Sequence, residues 1–338
     1  MAKLIKLSDI KYSLLDLATI REDMSIAETF DKSVEMAQHV EQWGYTRYWL
    51  AEHHNMISVA SSATAILIGH IAGKTNTLRV GSGGIMLPNH SALQIAEQFG
   101  TLEHLYPNRI DLGLGRAPGT DQLTAYAIRG ENMRYPYDFK AEINKLQNYI
   151  SPENQHAKVR AIPGEGSNLP IWILGSSTDS AYLAAELGLP YAFASHFAPQ
   201  QFMQAISIYK SHFKPSKEYD RPYILACVNA IAAETDTEAV FLSSSLKEMF
   251  SGIVTGKRQK LQPPRANIES EFDDMQLAAI EQMLAITFVG SESTIRQQLI
   301  SFVKQTEIDE IMFSSNIYDT QARLKSLEII SSIFQTQF

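Results

Sequence analysis

The sequence predicts an α/β protein built as a closed (β/α)8 barrel with an insertion after the seventh strand. Three observations carry this. An apolar strand, a turn and an amphipathic helix recur along the 338 residues. The strand segments are short and continuously apolar, the pattern of parallel strands buried on both faces. No GxGxxG follows the first strand, which disfavours the doubly wound open sheet, the other fold with this alternation.

Taken in order, residues 10–17 (IKYSLLDL) read as strand one. Ser25 opens a helix with Glu28 three positions on, the spacing of a capping box. Ile26, Phe30, Val34, Ala37 and Val40 follow at helical period, and Gly44 ends the helix as a C′ glycine. Strand two is 45–52, a small-residue helix spans 60–73, and strand three is 77–87. A helix runs from Ser91 to Tyr106, and Pro107-Asn108 turn the chain into strand four, 109–115. Residues 117–169 form a long connection with a helix near 137–149. Strand five is 170–175 with a helix at 178–187, and strand six is 190–195 with a helix at 199–212. Strand seven is 222–233, strand eight 309–315, and a terminal helix covers 319–334. The alternation predicts one domain, 1–338. Residues 251–275 break it: they are polar, with Pro263-Pro264 and the cations Lys257, Arg258 and Lys260. They read either as a solvated insertion or as a mobile lid between strand seven and its helix.

Composition removes several classes of function. Hydrophobic residues make up 45% and charged residues 20%, enough to bury a large core, which excludes general disorder. Lys+Arg total 29 against Asp+Glu 37, a net charge of −8 that argues against a duplex-binding protein. The single cysteine, Cys227, excludes a disulfide framework and a cysteine-rich zinc site. The start, MAKLIKLSDIKYSLLDL, lacks the apolar core of a signal peptide, and no stretch reaches the roughly 20 apolar residues of a membrane span. A soluble cytoplasmic protein with no nucleic-acid or membrane partner is expected.

In a (β/α)8 barrel the chemistry sits at the carboxyl ends of the strands. Unusual residues cluster there. Strand two ends in Glu52-His53-His54, which reads as an acid/base pair or as two structural histidines. A metal site is disfavoured, because neighbouring strand residues face opposite ways and the other strand ends supply no matching ligands. Gly83-Gly84 in strand three mark either a bulge or the close approach of a flat ligand. Arg116, after the glycines ending strand four, suits a phosphate or carboxylate. Ser176 and Ser177 precede a helix, as N-caps or as part of an anion site. Strand six ends in Ser195-His196.

These residues lie in stretches through which the chain resembles the bacterial luciferase-like flavin-dependent monooxygenases, among them the LLM-class, alkanal-monooxygenase-like oxidoreductases. The stretches are WLAEHHN (49–55), VGSGGIMLPNH (80–90), RIDLGLGRAPGTD (109–121), ILGSS (173–177), LGLPYAFASHF (187–197) and FVGS (288–291). The resemblance covers nearly the whole chain. It implies a barrel that binds reduced FMN at the strand ends and uses O2 on a small organic substrate. It implies Glu52 and His53 beside flavin and substrate, with His53 as the catalytic base. It implies Gly83, Gly84, Arg116, Gly175, Ser176 and Ser177 as cofactor-binding residues. Gly83-Gly84 match a non-prolyl cis peptide beneath the isoalloxazine, and Arg116, Ser176 and Ser177 match phosphate-binding positions. A mobile loop at 251–275, a separate flavin reductase and a homodimer are implied as well. The chain departs from the light-emitting members at Gly115, where they carry a reactive cysteine, and at Gly175, where they carry an acidic residue. Light emission and long-chain aldehyde specificity are therefore not carried over. An F420-dependent oxidoreductase and a flavin-binding protein without turnover are the alternatives on this fold.

Overall fold

Strands buried on both faces need helices outside them, and the chain supplies these in alternation. The computed structural model describes residues 6–335. The ends of the expected domain, 1–5 and 336–338, lie outside the described residues, and with them the first five residues of the segment read for a signal peptide. The strands are β1 (Lys11–Asp16), β2 (Arg47–Leu50), β3 (Arg79–Met86), β4 (Ile110–Gly115), β5 (Ile171–Gly175), β6 (Tyr191–Phe193), β7 (Ile224–Ala232), β8 (Thr287–Gly290) and β9 (Glu310–Ser314). The helices are α1 (Ile26–Gln42), α2 (Thr64–Ala72), α3 (Ala92–Leu105), α4 (Gln122–Arg129), α5 (Phe139–Ile150), α6 (Thr178–Leu187), α7 (Phe202–His212), α8 (Asp236–Thr255), α9 (Asp274–Met283), α10 (Glu292–Thr306) and α11 (Thr320–Gln335). All strand pairings are parallel, and β6–β7 and β9–β1 contacts close an eight-stranded ring. The predicted (β/α)8 barrel is the observed fold. Among the described residues no helix is long and apolar enough to cross a membrane.

Two features correct the sequence reading. The first is an extra strand. Leu225–Asn229 of β7 pair with β9, and Asn229–Ala232 continue past the ring to pair with β8. The barrel's eighth strand is therefore the ninth in the chain. Residues 287–290 escape a reading based on apolar runs because Thr287 and Val289 are only half-buried. The second correction concerns 251–275. Helix α8 follows β7 directly and takes residues 251–255, so the irregular stretch is 256–273 and follows that helix.

Local signals hold elsewhere. Ser25 accepts from the Glu28 amide while Glu28 accepts from the Ser25 amide, completing the capping box on α1. Gly44 sits at φ +77°, the left-handed geometry that favours glycine. Asp16 ties the first and last barrel units together. It is fully buried and accepts from Ser33 Oγ of α1, Tyr48 of β2 and Arg323 of α11.

The core has two layers. Tyr48, Leu50, Ile85, Ile173 and Phe193 face outward and pack under the helices. Leu15, Trp49, Ala51, Trp172, Ala192, Leu225, Cys227 and Met312 fill the barrel interior. The indole rings of Trp49 and Trp172 meet edge-on at 5.2 Å. Interior packing stops above this layer, at the carboxyl ends of the strands, where a cavity opens.

Candidate active site

The cavity measures about 940 Å³ and is lined by strand ends β1 to β7 and β9, by the loops after them, and by α8. Strand parity decides what enters it. Arg47, Trp49 and Ala51 face inward on β2, so His53 continues that side and lines the cavity. Its Nδ1 donates to the Gly119 carbonyl at 3.2 Å. That bond puts the proton on Nδ1 and leaves Nε2 as a free base. Burial pushes the His53 pKa below its usual value, with the Arg258 charge adding to the effect.

Glu52 and His54 take the other side of the strand. Glu52 is 1% exposed and is absent from the cavity wall. Its carboxylate accepts from His54 Nε2 at 2.8 Å, His90 Nε2 at 2.9 Å, Asn89 Nδ2 at 3.2 Å and the Met86 amide at 2.9 Å. Burial opposes its charge, but the bonds from His90, His54 and Met86 outweigh it and hold the carboxyl below its usual range. Glu52 thus bonds to His54 and His90, not His53, and braces the loop after β3 from behind. The i, i+2 relation of Glu52 and His54 was the signal available in the sequence.

The cavity floor is Gly83, and the Gly83–Gly84 peptide is cis. A Cβ on Gly83 would stand 2.9 Å from Leu15 Cδ1, and one on Gly84 2.6 Å from the Gly113 carbonyl oxygen. Both glycines are thus demanded by the barrel wall, and the first leaves a floor without a side chain. Gly84 itself points away from the cavity, its carbonyl accepting from the Glu52 amide at 3.3 Å.

Across the floor, Arg116, Gly175, Ser176 and Ser177 gather at the ends of β4 and β5 and line one corner. Ser177 is the N-cap residue of α6, yet its hydroxyl makes no capping bond. Neither serine hydroxyl has a partner among the described residues. Arg116 has one loose ion pair, to Asp179 at 3.5 Å, with both side chains well exposed. Gly175 is sterically fixed, since a Cβ there would lie 2.0 Å from Ser180 Oγ.

Of three further lining residues, the sequence named His196 only as the end of strand six and did not single out Tyr137 or Asn229. His196 follows Ala192 and Ala194 on the inward side of β6, and its Nδ1 is buried without a partner. Burial, with the nearby His53 charge, pushes its pKa down to about 3, so the ring is neutral. The Tyr137 hydroxyl, before α5, is likewise buried and unpartnered. Asn229 of β7 donates to the His196 carbonyl. Parity along strands six and seven points to His196 and Asn229; nothing local in the sequence marks Tyr137.

Comparison with known proteins bears on this cavity. A family profile described as luciferase-like monooxygenase matches residues 10–310. An Escherichia coli (strain K12) protein named luciferase-like monooxygenase is 47% identical over 96% of this chain and 97% of its own. The crystal structure of apo-MsnO8 is 32% identical and superposes with a TM-score of 0.87, covering 97% of this chain and 99% of that one. The oxygenating constituent of 3,6-diketocamphane monooxygenase from Pseudomonas putida, solved with FMN, has a TM-score of 0.74 at 17% identity over 96% and 97%. An F420-dependent secondary alcohol dehydrogenase has 0.67 at 11% over 98% and 100%; at these identities the two share the fold alone.

Proposed function

Because the chain belongs to the luciferase-like monooxygenase family, we propose that its cavity binds reduced FMN and uses O2 to oxygenate a small organic substrate. One observation carries this reading: a free imidazole base, a floor without a side chain and an anion-ready corner converge in a single cavity. The residues fit the flavin. The phosphate would meet Arg116 and the unpartnered hydroxyls of Ser176 and Ser177 at the start of α6. The ring would lie on Gly83, with the orphaned polar atoms of His196 and Tyr137 within the same wall.

Reduced flavin supplies the electrons that activate O2. The protein's own part is proton handling and exclusion of water. His53 Nε2 takes or returns a proton at the reacting centre, while Gly119 holds the ring in that tautomer. Met56, Val59, Met86, Phe250, Ile253 and Met283 give the cavity an apolar wall that keeps water from the reaction. Glu52 acts as a positioning residue through His54, His90 and the Met86 amide. A separate flavin reductase and a homodimeric assembly belong to the same reading.

Titration of the purified protein with FMN, riboflavin and F420, followed by flavin fluorescence, tests it. FMN is expected to bind tighter than riboflavin and F420, and photoreduced FMN with O2 to give flavin-dependent substrate oxidation. Tighter binding of F420, with no O2 consumption, assigns a deazaflavin hydride transfer instead. Flavin binding with no turnover across a panel of sulfides, aldehydes and ketones assigns a binding protein.

A further inference from the structure

The charged side chains that line the cavity are not all paired. Lys140 pairs with Glu186 at 2.8 Å. Glu248 accepts from Gln259 at 2.9 Å and from Arg265 at 3.0 Å. Asp138 caps α5 by accepting from the Ala141 amide at 2.9 Å. Arg116 has Asp179. Among the described residues, Arg258 is the lining cation with neither an ion pair nor a hydrogen bond.

Arg258 is itself exposed, but the chain on both sides of it is anchored. Three residues on, Leu261 is 3% exposed and bridges to the loop after β1, donating to the Ile20 carbonyl at 2.9 Å and accepting from the Glu22 amide at 3.0 Å. On the other side, a Cβ on Gly252 of α8 would come within 3.0 Å of the Lys257 carbonyl and 3.4 Å of Arg258 Cα. The missing side chain at 252 lets the segment lie against the helix. Arg258 is thereby set on the β1–β2 side of the mouth, where its charge reaches His53. The Arg116–Ser176–Ser177 corner belongs to β4 and β5. The cavity therefore has a cation for a phosphate and a second, unpaired cation beside the proposed base.

We propose that the substrate carries a carboxylate on an apolar body, and that Arg258 binds the carboxylate while Met56, Val59 and Ile253 receive the body. The proposal rests on the monooxygenase reading only for the identity of the reacting centre. A guanidinium with no partner offers a two-point site for a carboxylate, and an apolar wall receives an alkyl or thioether chain. A neutral amide of the same length keeps the apolar contact and loses the charge-assisted bond.

Calorimetric titration with octanoate and octanamide, each with and without saturating FMN, tests this. Octanoate is expected to bind at least about ten-fold tighter than octanamide. Arg258→Met should remove that preference while leaving octanamide and FMN affinities unchanged, and Arg258→Lys should restore part of it. Equal binding of the two probes, or no binding of either, overturns the proposal. So does a loss of FMN affinity in Arg258→Met, which would place the cation on the cofactor. Octanoate binding that FMN displaces and Arg116→Ala abolishes overturns it too, by placing the anion in the phosphate corner. Failure of FMN to bind at all would sink the monooxygenase reading while the flavin-free titration still reported on Arg258.

Discussion

The two ends of the barrel are built from the same strands and solve opposite problems. At the amino-terminal mouth both oxygens of Asp111 and of Glu310 are met by donors. Asp111 accepts from Arg47 at 2.8 Å, Arg79 at 2.6 Å and the Trp49 indole at 3.1 Å. Glu310 accepts from Arg47 at 2.8 Å, Tyr223 at 2.8 Å and Ser13 at 2.5 Å. Two carboxylates and two guanidiniums thus close the bottom with no net charge. At the carboxyl-terminal mouth, His196 Nδ1, the Tyr137 hydroxyl, the Ser176 and Ser177 hydroxyls and Arg258 have no partner among the described residues. Strand β2 serves both ends from one face, with Arg47 at the bottom and His53 at the top. Paired polarity holds the barrel, and unpaired polarity is what a ligand can use.

The largest effect expected is at the closed end. Asp111→Ala leaves Arg47 and Arg79 facing each other without their shared counter-charge. Breaking such a buried network costs about 3–5 kcal/mol. Urea unfolding should show that loss, while FMN affinity per folded molecule stays at the wild-type value. If stability holds and flavin affinity falls, the division between the two ends is wrong.

At the open end, His53→Ala should lower turnover per flavin-loaded site by about 10² to 10⁴ and barely move the unfolding midpoint. The pH dependence has a definite sign. Burial holds the folded pKa below its usual value, so the ring is a neutral base at pH 7 and takes up its proton at a lower pH than an exposed histidine. Rate should therefore fall toward acid with a midpoint below the usual histidine value. Stability should fall in the same direction, because the unfolded chain takes up the proton first. His54→Ala should do the reverse of His53→Ala, since it strips a donor from the buried Glu52 carboxylate. Wild-type turnover and an unchanged pH profile in His53→Ala would reduce that residue to a wall of the cavity.

The sequence made the strands and half of the open end legible, while the ion network of the closed end, which joins β2, β3, β4 and β9, was not read from it. Parity and apolar runs are local properties, so the β2 strand and the glycine pair could be read from the sequence; parity let only one of His53 and His54 face the mouth, and the family resemblance named His53. Glu52 shows where the rule was underused: parity sends it to His54, two residues on, and its bond to His90 joins a residue 38 positions away. Strand β8 was lost because it pairs outside the ring and is half-buried. Arg258 was visible only as part of a polar stretch. Its distinction is the absence of a partner, which is a property of three dimensions. The cavity's orphaned Tyr137 hydroxyl is the same kind of fact.

A smaller effect separates the two cations of the open end. Arg116 is exposed and held only by Asp179, so it should act as a ligand contact rather than as a structural tie. Arg116→Ala should weaken FMN binding by about ten-fold and leave riboflavin, which lacks the phosphate, unchanged. Gly175→Ala is the contrasting variant. Its Cβ would displace Ser180, whose hydroxyl bonds the Ser177 carbonyl at 2.6 Å and Tyr191 at 2.8 Å. That change should cost stability of about 1–3 kcal/mol and weaken FMN and riboflavin alike. Equal losses of both flavins in Arg116→Ala would make the arginine structural.

The smallest effect concerns the segment over the open end. Residues 256–273 are not uniformly loose. Leu261 and Ile268 are buried, Leu261 is bridged to Arg21, and Arg265 pairs with Glu248 and Glu271. The stretch before them, from Gly256 to Gln259, is exposed, and Arg258 and Gln259 reach the cavity. A lid, if this segment is one, should therefore hinge at Gly256, whose φ of +72° suits glycine, and stay pinned at Leu261. Hydrogen exchange with and without FMN and octanoate should slow several-fold at 257–260. The Leu261 amide, already donating to Ile20, should exchange slowly in both states. Ligand-induced protection spread across 256–273 would mean that the whole segment closes as one body. Exchange that is slow throughout and indifferent to ligand would make it a fixed wall, and the open end of the barrel would then be as rigid as the closed one.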